Sequence, residues 1–140
     1  MAKTSVTQII TIPVAAVTEF ITSGNPTAMI INSAAPGSQP NPVIVANTTY
    51  NLTTNESNKK ITGVLDKAMP GNTYLKVCLA APPGAVSLGD VSLSIVPADL
   101  VTGISKVATS GKTITYKFSC AVAAGVIASS TRVVTFTVTN

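Results

Sequence analysis

The side chains that carry acid–base chemistry are few in this chain. It contains no histidine, which removes the usual general base near neutral pH and the most common metal ligand. No glycine-rich phosphate loop, Gly-x-Ser-x-Gly elbow or Cys-x-x-Cys motif occurs. The carboxylates form no pair in the sequence and fall on different predicted strands or turns: Glu19, Glu56, Asp66, Asp90 and Asp99. We therefore expect that the protein is not an enzyme and uses neither a cofactor nor a metal. A hydrolase whose carboxylates are brought together by the fold is the alternative.

Thiol chemistry is limited to Cys78 and Cys120, each within a predicted strand. Cys120 shares the inward face with Phe118. Cys78 falls on the face opposite Val77, so an inward Cys78 requires a bulge or a slip in register. Export would favour a bond between the two, and we take the pair as a candidate disulfide. Unpaired, they would be two small buried hydrophobic side chains.

The net charge of +4 is spread along the chain rather than concentrated. Among the nine basic residues only Lys59 and Lys60 are adjacent. There is no tryptophan, and three phenylalanines and three tyrosines offer little for base stacking. No apolar run reaches the length of about 18 residues that a membrane-spanning helix needs. We expect neither a nucleic-acid partner nor a membrane span.

The composition is that of a single domain with a surface of hydroxyls and amides. Only 10% of the 140 residues are charged, against roughly 25% in ordinary globular proteins. This composition favours an extracellular protein. No signal peptide is visible, so we expect a mature form from which a leader has been removed. The alternative is that Met1 is native and that export does not use the general route.

Short segments of alternating apolar and polar residues, separated by turns, run along the whole chain. The clearest are 74–79, 112–120 and 132–139, with shorter ones at 27–31, 43–45, 48–53, 60–65, 91–96 and 99–104. Prolines between residues 35 and 42 exclude a central strand there. About eight or nine strands at spacings of roughly 8–12 residues are typical of a sandwich. The prediction is an all-β, immunoglobulin-like β-sandwich.

The N-terminal segment repeats this alternation before any turn signal. Apolar side chains occupy even positions and polar ones mostly odd positions, with Ile9 as the exception; the apolar set is Val6, Ile10, Ile12 and Val14. A period of two is that of a half-buried strand, so we predict a strand over residues 4–14. Such a strand either docks in its own sheet or completes the sheet of a neighbour.

Two stretches together resemble a known family. They are residues 3–14, KTSVTQIITIPV, and residues 50–65, YNLTTNESNKKITGVL. The arrangement resembles the major pilins of alternate chaperone–usher fimbriae, of the colonization-factor type. In that family a Thr/Val-rich N-terminal strand precedes an incomplete immunoglobulin-like sandwich. The two cysteines depart from the closest members of the family and fit other usher pilins or spore-coat-like relatives better.

The resemblance implies donor-strand exchange, in which the N-terminal strand of one subunit fills a groove in the next. Residues 1–18 would then be the donor segment and residues 19–140 the sandwich. The plugging side chains would be Val6, Ile10, Ile12 and Val14. The expected function is that of a structural subunit of an extracellular fimbria, with other copies of the chain as partners and a periplasmic chaperone and an usher as assembly factors.

A different class of function fits the same predicted fold. A monomeric secreted or surface module, such as an adhesin or a coat or virion decoration domain, would use the Pro-rich loop at residues 35–42 for recognition. In that case residues 4–14 would be the first strand of their own sandwich. Two findings would overturn the fibre: pairing of the segment within its own subunit, and its free exposure to solvent.

Overall fold

Nine strands form two antiparallel sheets in a computed structural model that describes residues 3–140. They are β1 (Thr18–Thr22), β2 (Val43–Thr54), β3 (Lys59–Leu65), β4 (Thr73–Leu79), β5 (Val86–Ser87), β6 (Val91–Ser92), β7 (Ala98–Ile104), β8 (Val107–Cys120) and β9 (Val134–Thr139). The first sheet has the order β1-β2-β8-β4-β6, and the second the order β5-β7-β3-β9. A single turn of 3-10 helix, Val122–Ala124, follows β8. The predicted all-β sandwich is confirmed.

The core lies between the two sheets and is built from alternate residues of facing strands. On β4 the predicted inward set, Leu75, Val77 and Leu79, is buried, and on β8 Ile114 and Tyr116 are buried. β3 contributes Ile61 and Leu65 from the opposite sheet. Each of these strands therefore buries one face, as the period of two predicts.

Two tyrosines, Tyr50 and Tyr116, lie in this core. The hydroxyl of Tyr50 donates to the carbonyl oxygen of Ala80. The ring of Phe20 packs edge-on against the Tyr50 ring, with 5.7 Å between the ring centroids. Burial raises the pKa of Tyr50 and of Tyr116 to about 12. Both phenols therefore stay neutral in the core at physiological pH.

The register defines two ends of the sandwich. At the proximal end Thr18 lies opposite Thr54, and Thr54 opposite Val107, while Lys60 lies opposite Thr139 in the other sheet. At the distal end the partners are Thr73 with Cys120 and Leu65 with Val134. β1 thus runs from the proximal to the distal end, and β9 runs the opposite way.

Two predicted strands are absent from the structure, and a third is cut to two residues. Residues 27–31 form no strand, and the Thr27 N–H donates to the Asn47 side chain at 3.4 Å rather than to a carbonyl. The predicted strand 91–96 ends at Ser92, because the chain then crosses between sheets: the Leu93 N–H donates to Leu75 of β4, and the Ser94 carbonyl accepts from Leu65 of β3.

The other absent strand is the N-terminal strand predicted over residues 4–14. No strand forms there in the structure. The first strand is β1 instead, which the sequence reading missed. It begins at Thr18, the last residue of the predicted donor segment. Met1 and Ala2, which also belong to the predicted segment 1–18, lie outside the described residues.

Candidate functional site

An apolar cleft opens between the two sheets along one side of the sandwich. Its walls are the edge strands β1 and β9, and its volume is about 290 Å³. The lining residues are Phe20, Ile21, Thr22, Val134, Thr135 and Phe136. Within residues 3–140, β1 pairs only with β2 and β9 only with β3, so the strand edges that face the cleft carry no ladder.

The cleft exposes side chains that belong to the core. On β9 the predicted inward set, Val134, Phe136 and Val138, packs against the buried cluster but stays half-exposed. Phe20 of β1 does the same from the other wall. A further strand laid between β1 and β9 would cover these side chains and pair with a free edge.

A second depression, of about 350 Å³, lies against β1 and β2 and is lined by Glu19, Phe20, Ile21, Asn51, Leu52 and Thr53. All six residues come from one pair of neighbouring strands, and three of them are exposed polar residues. It does not open between the sheets, so we take the cleft between β1 and β9 as the candidate site.

The four predicted plugging side chains all lie in solvent. Val6, Ile10, Ile12 and Val14 are 76–86% exposed, and Ile9 is 99% exposed. Docking of this segment as a strand of its own sheet, the arrangement expected for a monomeric module, is therefore not found. Exposure is also one of the two findings set against a fibre. A donor strand has no partner within its own chain, however, so a donor and a free tail share this exposure.

The sandwich does not depend on residues 3–14. Every residue of the buried core lies beyond them, and all strand pairings and hydrogen bonds described for the chain involve residues from Ala15 onwards. A chain that begins at Ala15 therefore keeps all the contacts that define the fold.

The side chain of Asn55 holds the root of this segment, residues 15–17. Its Nδ2 donates to the carbonyl oxygen of Ala15 at 2.8 Å, and its Oδ1 accepts from the Val17 N–H at 2.8 Å. The Asn55 N–H also donates to the carbonyl oxygen of Val17 at 3.1 Å. The amide side chain thus acts as one more peptide unit of β2 and continues the β1–β2 ladder beyond the proximal end. Sequence reasoning placed Asn55 in a polar turn and missed this role.

The neighbouring turn fixes the first residue of β1. The hydroxyl of Thr18 donates to Oε2 of Glu56 at 2.6 Å and lies 2.8 Å from the Thr54 hydroxyl. This bond, together with the Lys59 ammonium 3.5 Å from Oε1, holds the pKa of Glu56 below its usual value. The carboxylate is therefore charged at neutral pH and anchors the point where the segment leaves the sandwich.

The candidate disulfide between Cys78 and Cys120 is wrong: both thiols are free. Cys120 lies opposite Thr73, whereas Cys78 lies opposite Thr115, five residues further along β4. Five residues of strand span roughly 16 Å, and a disulfide needs Cα atoms closer than about 7 Å. The two positions also have opposite parity on their strands, as the alternation indicated, so the side chains face opposite sides of the sheet.

The charged side chains do not gather at the cleft. Ion pairs join Lys59 to Glu56 and Lys60 to Asp99, the latter at 3.1 Å. Over residues 3–140 no group of three or more Cys, Asp or Glu side chains comes together in a way that could hold a metal ion. Within the same range, no helix has the length and apolarity to cross a membrane.

Comparison with models of protein families, with curated proteins and with solved structures finds no match for this chain.

Proposed function

We propose that the protein is a structural subunit of a fibre assembled by donor-strand exchange, with residues 4–14 of one copy seated in the cleft between β1 and β9 of the next. One observation carries the proposal: an apolar cleft flanked by two free strand edges coexists with an exposed segment whose apolar residues recur with a period of two. On this basis the domain is an immunoglobulin-like sandwich that lacks one strand, as in fimbrial pilins. Its site of action is the cell surface, with a chaperone and an usher as assembly factors.

The direction of the donated strand would decide whether exchange gives a filament or a closed dimer. The segment leaves its own sandwich at the proximal end, and β9 runs from the distal to the proximal end. A donor that runs antiparallel to β9 seats its subunit on the distal end of the acceptor, so the contact repeats without closing and gives a filament. A donor parallel to β9 would bring two proximal ends together, and reciprocal exchange would close a dimer.

The fibre is tested by deletion of residues 2–14. Because the sandwich keeps its contacts without them, the shortened chain should fold and remain monomeric. The full chain should give filaments in negative-stain electron micrographs, whereas the shortened chain should give none. Filaments that persist after the deletion would rule out this mechanism, and a sharply monomeric full chain would favour the secreted binding module.

The period of two supplies a matched pair of variants. Ile10→Asp places a charge on the predicted plugging face, while Thr11→Asp places the same charge on the opposite face, one residue away. We expect the first to abolish filaments and the second to leave them, because only the plugging face is buried in the acceptor. Equal loss in both variants would show that the segment does not act as a strand.

A further inference from the structure

The chain between the proposed donor strand and its own sandwich is very short. Val14 is the last plugging residue, and the next residue, Ala15, is already bonded to Asn55. Even if the three root residues, 15–17, were all released, they would span at most about 10 Å. This step rests on the proposed function: when residues 4–14 fill an acceptor and run antiparallel to β9, the distal end of the acceptor must touch, or nearly touch, the proximal end of the donor.

At the distal end of the acceptor lies the loop that leads into β9, residues 121–133. We call it the mouth loop. It carries apolar side chains in solvent: Val126 is fully exposed, Val133 is 59% exposed and Ile127 is 41% exposed. Its last residue directly precedes Val134, which lines the cleft. The C-terminal end of the mouth loop therefore borders the distal opening through which a donor strand would enter.

The mouth loop is held in place at both ends. The Val122 N–H donates to Oε1 of Gln39 at 2.8 Å. At the other end the Val133 N–H donates to Oδ1 of Asp66 at 2.9 Å, and Nε of Arg132 donates to the carbonyl oxygen of Ala68 at 3.0 Å. The two ends of the loop are thus fixed, and over residues 3–140 Val126, Ile127 and Val133 remain exposed to solvent.

We propose that the mouth loop of the acceptor is the seat for the root of the donor, a second copy of this chain. The root is apolar and exposed: Ala15 and Ala16 lie in solvent and Val17 is 42% exposed. Neither Val126 nor Ile127 has a charged neighbour in the sequence that would oppose this contact. The filament therefore has two joints, strand insertion in the cleft and packing of the root on the mouth loop.

The test separates the two joints. Val126→Lys and Ile127→Lys are introduced together into the full chain, and the concentration for half-maximal assembly is measured by sedimentation. Affinity for a synthetic peptide of residues 3–14 is measured on chains that begin at Ala15, with and without the two substitutions. Burial of two large aliphatic side chains contributes enough for the half-assembly concentration to rise at least about tenfold, while the peptide affinity stays unchanged.

Val86→Lys is the matched control. Val86 is 57% exposed on β5, at the edge of the second sheet that lies away from the cleft. This variant should assemble like the unmodified chain.

Each outcome bears on one joint. An unchanged half-assembly concentration in the double variant, with peptide binding intact, overturns the seat and leaves strand exchange standing. Loss of peptide affinity in the double variant also overturns it, because the mouth loop would then shape the cleft itself. If the unmodified chain neither assembles nor binds the peptide, the proposed function fails and the seat fails with it.

Discussion

Gly63 lies in β3 where its neighbour across the ladder, Phe136, reaches into the cleft. A Cβ atom at this position would be 2.9 Å from Cδ1 of Leu100, 3.2 Å from Cδ2 of Leu93 and 3.5 Å from the ring of Phe136. Leu100 and Leu93 are buried, so neither can turn away into solvent. The absence of a side chain at residue 63 thus lets one wall of the cleft pack against the core.

Gly63→Ala should destabilise the fold. The added methyl group overpacks a buried site, which typically costs about 1–3 kcal/mol in the free energy of unfolding. Denaturant titration measures this cost. Gly71→Ala is the control, because nothing lies within 4 Å of its would-be Cβ atom and its φ is not positive. Equal stability of the two variants would contradict the packing argument.

Residue-scale reasoning from the sequence succeeded where it depended on alternation alone. The opposite facing of Cys78 and Cys120 was readable from parity, and the structure bears it out. The disulfide prediction failed because a disulfide also requires the two cysteines to lie at the same level along their strands. That level is set by the strand register, which the sequence does not state. The contacts of Asn55 were hidden for the same reason, since its partners are about 40 residues away.

β9 is the element on which the candidate site depends, and Asp66 fastens its beginning. The N–H of Asp66 donates to the carbonyl oxygen of Val133 at 3.0 Å, and its Oδ1 accepts the Val133 N–H in return. The hydrogen bond from the Val133 N–H to the carboxylate holds the pKa of Asp66 below its usual value, and the charge of Lys67 contributes less. The carboxylate thus ties the end of β3 to the start of β9 at the distal opening of the cleft.

Low pH should weaken the hydrogen bond between the Asp66 carboxylate and the Val133 N–H. A folded-state pKa below the unfolded value means that the stabilisation is complete above the unfolded pKa, near 3.8, and is lost as the pH falls through the folded value. Asp66→Asn keeps an acceptor but removes the charge. The melting temperature of the unmodified chain should therefore exceed that of the variant at neutral pH, and the difference should shrink below about pH 4. A difference that is independent of pH would contradict a role for the charge.

Three strands of seven residues were predicted almost to their limits, whereas β1 was missed and β8 begins at Val107 rather than at residue 112. β3, β4 and β7 lie within a residue of their predicted limits. β3 and β4 alternate between buried and less buried residues, whereas β7 buries the adjacent Leu100 and Val101. β1 escaped notice because Phe20 and Ile21 are adjacent apolar residues, which breaks the period of two. Residues 4–14 have the alternation of a strand but form no ladder within their own chain, so a period of two does not by itself make a strand.

At the scale of the whole molecule, turns and alternation were sufficient to predict the all-β sandwich. The cleft could not be predicted in the same way. It exists because β1 and β9, which lie near opposite ends of the chain, are both edge strands on the same side of the sandwich. The order of strands in each sheet depends on pairings between distant segments, and composition and period carry no record of those pairings.

A sandwich whose cleft leaves Phe20, Val134 and Phe136 partly exposed should gain stability when the cleft is filled. A ligand that binds only the folded state stabilises it by about 2.7 kcal/mol at one hundred times its dissociation constant. For a domain of this size, that corresponds to a rise in melting temperature of roughly 10 °C. We expect the peptide of residues 3–14 to produce this rise in the chain that begins at Ala15, with a dependence on peptide concentration that thermal denaturation measures.

The control is the same peptide with serine in place of Val6, Ile10, Ile12 and Val14. It retains the backbone that would pair with a strand edge but cannot fill the cleft with apolar side chains, so it should leave the melting temperature unchanged. If the unmodified peptide also has no effect, the cleft does not accept this segment. If both peptides stabilise equally, the backbone ladder alone would account for binding, and the alternation of apolar residues in the N-terminal segment would have no part in assembly.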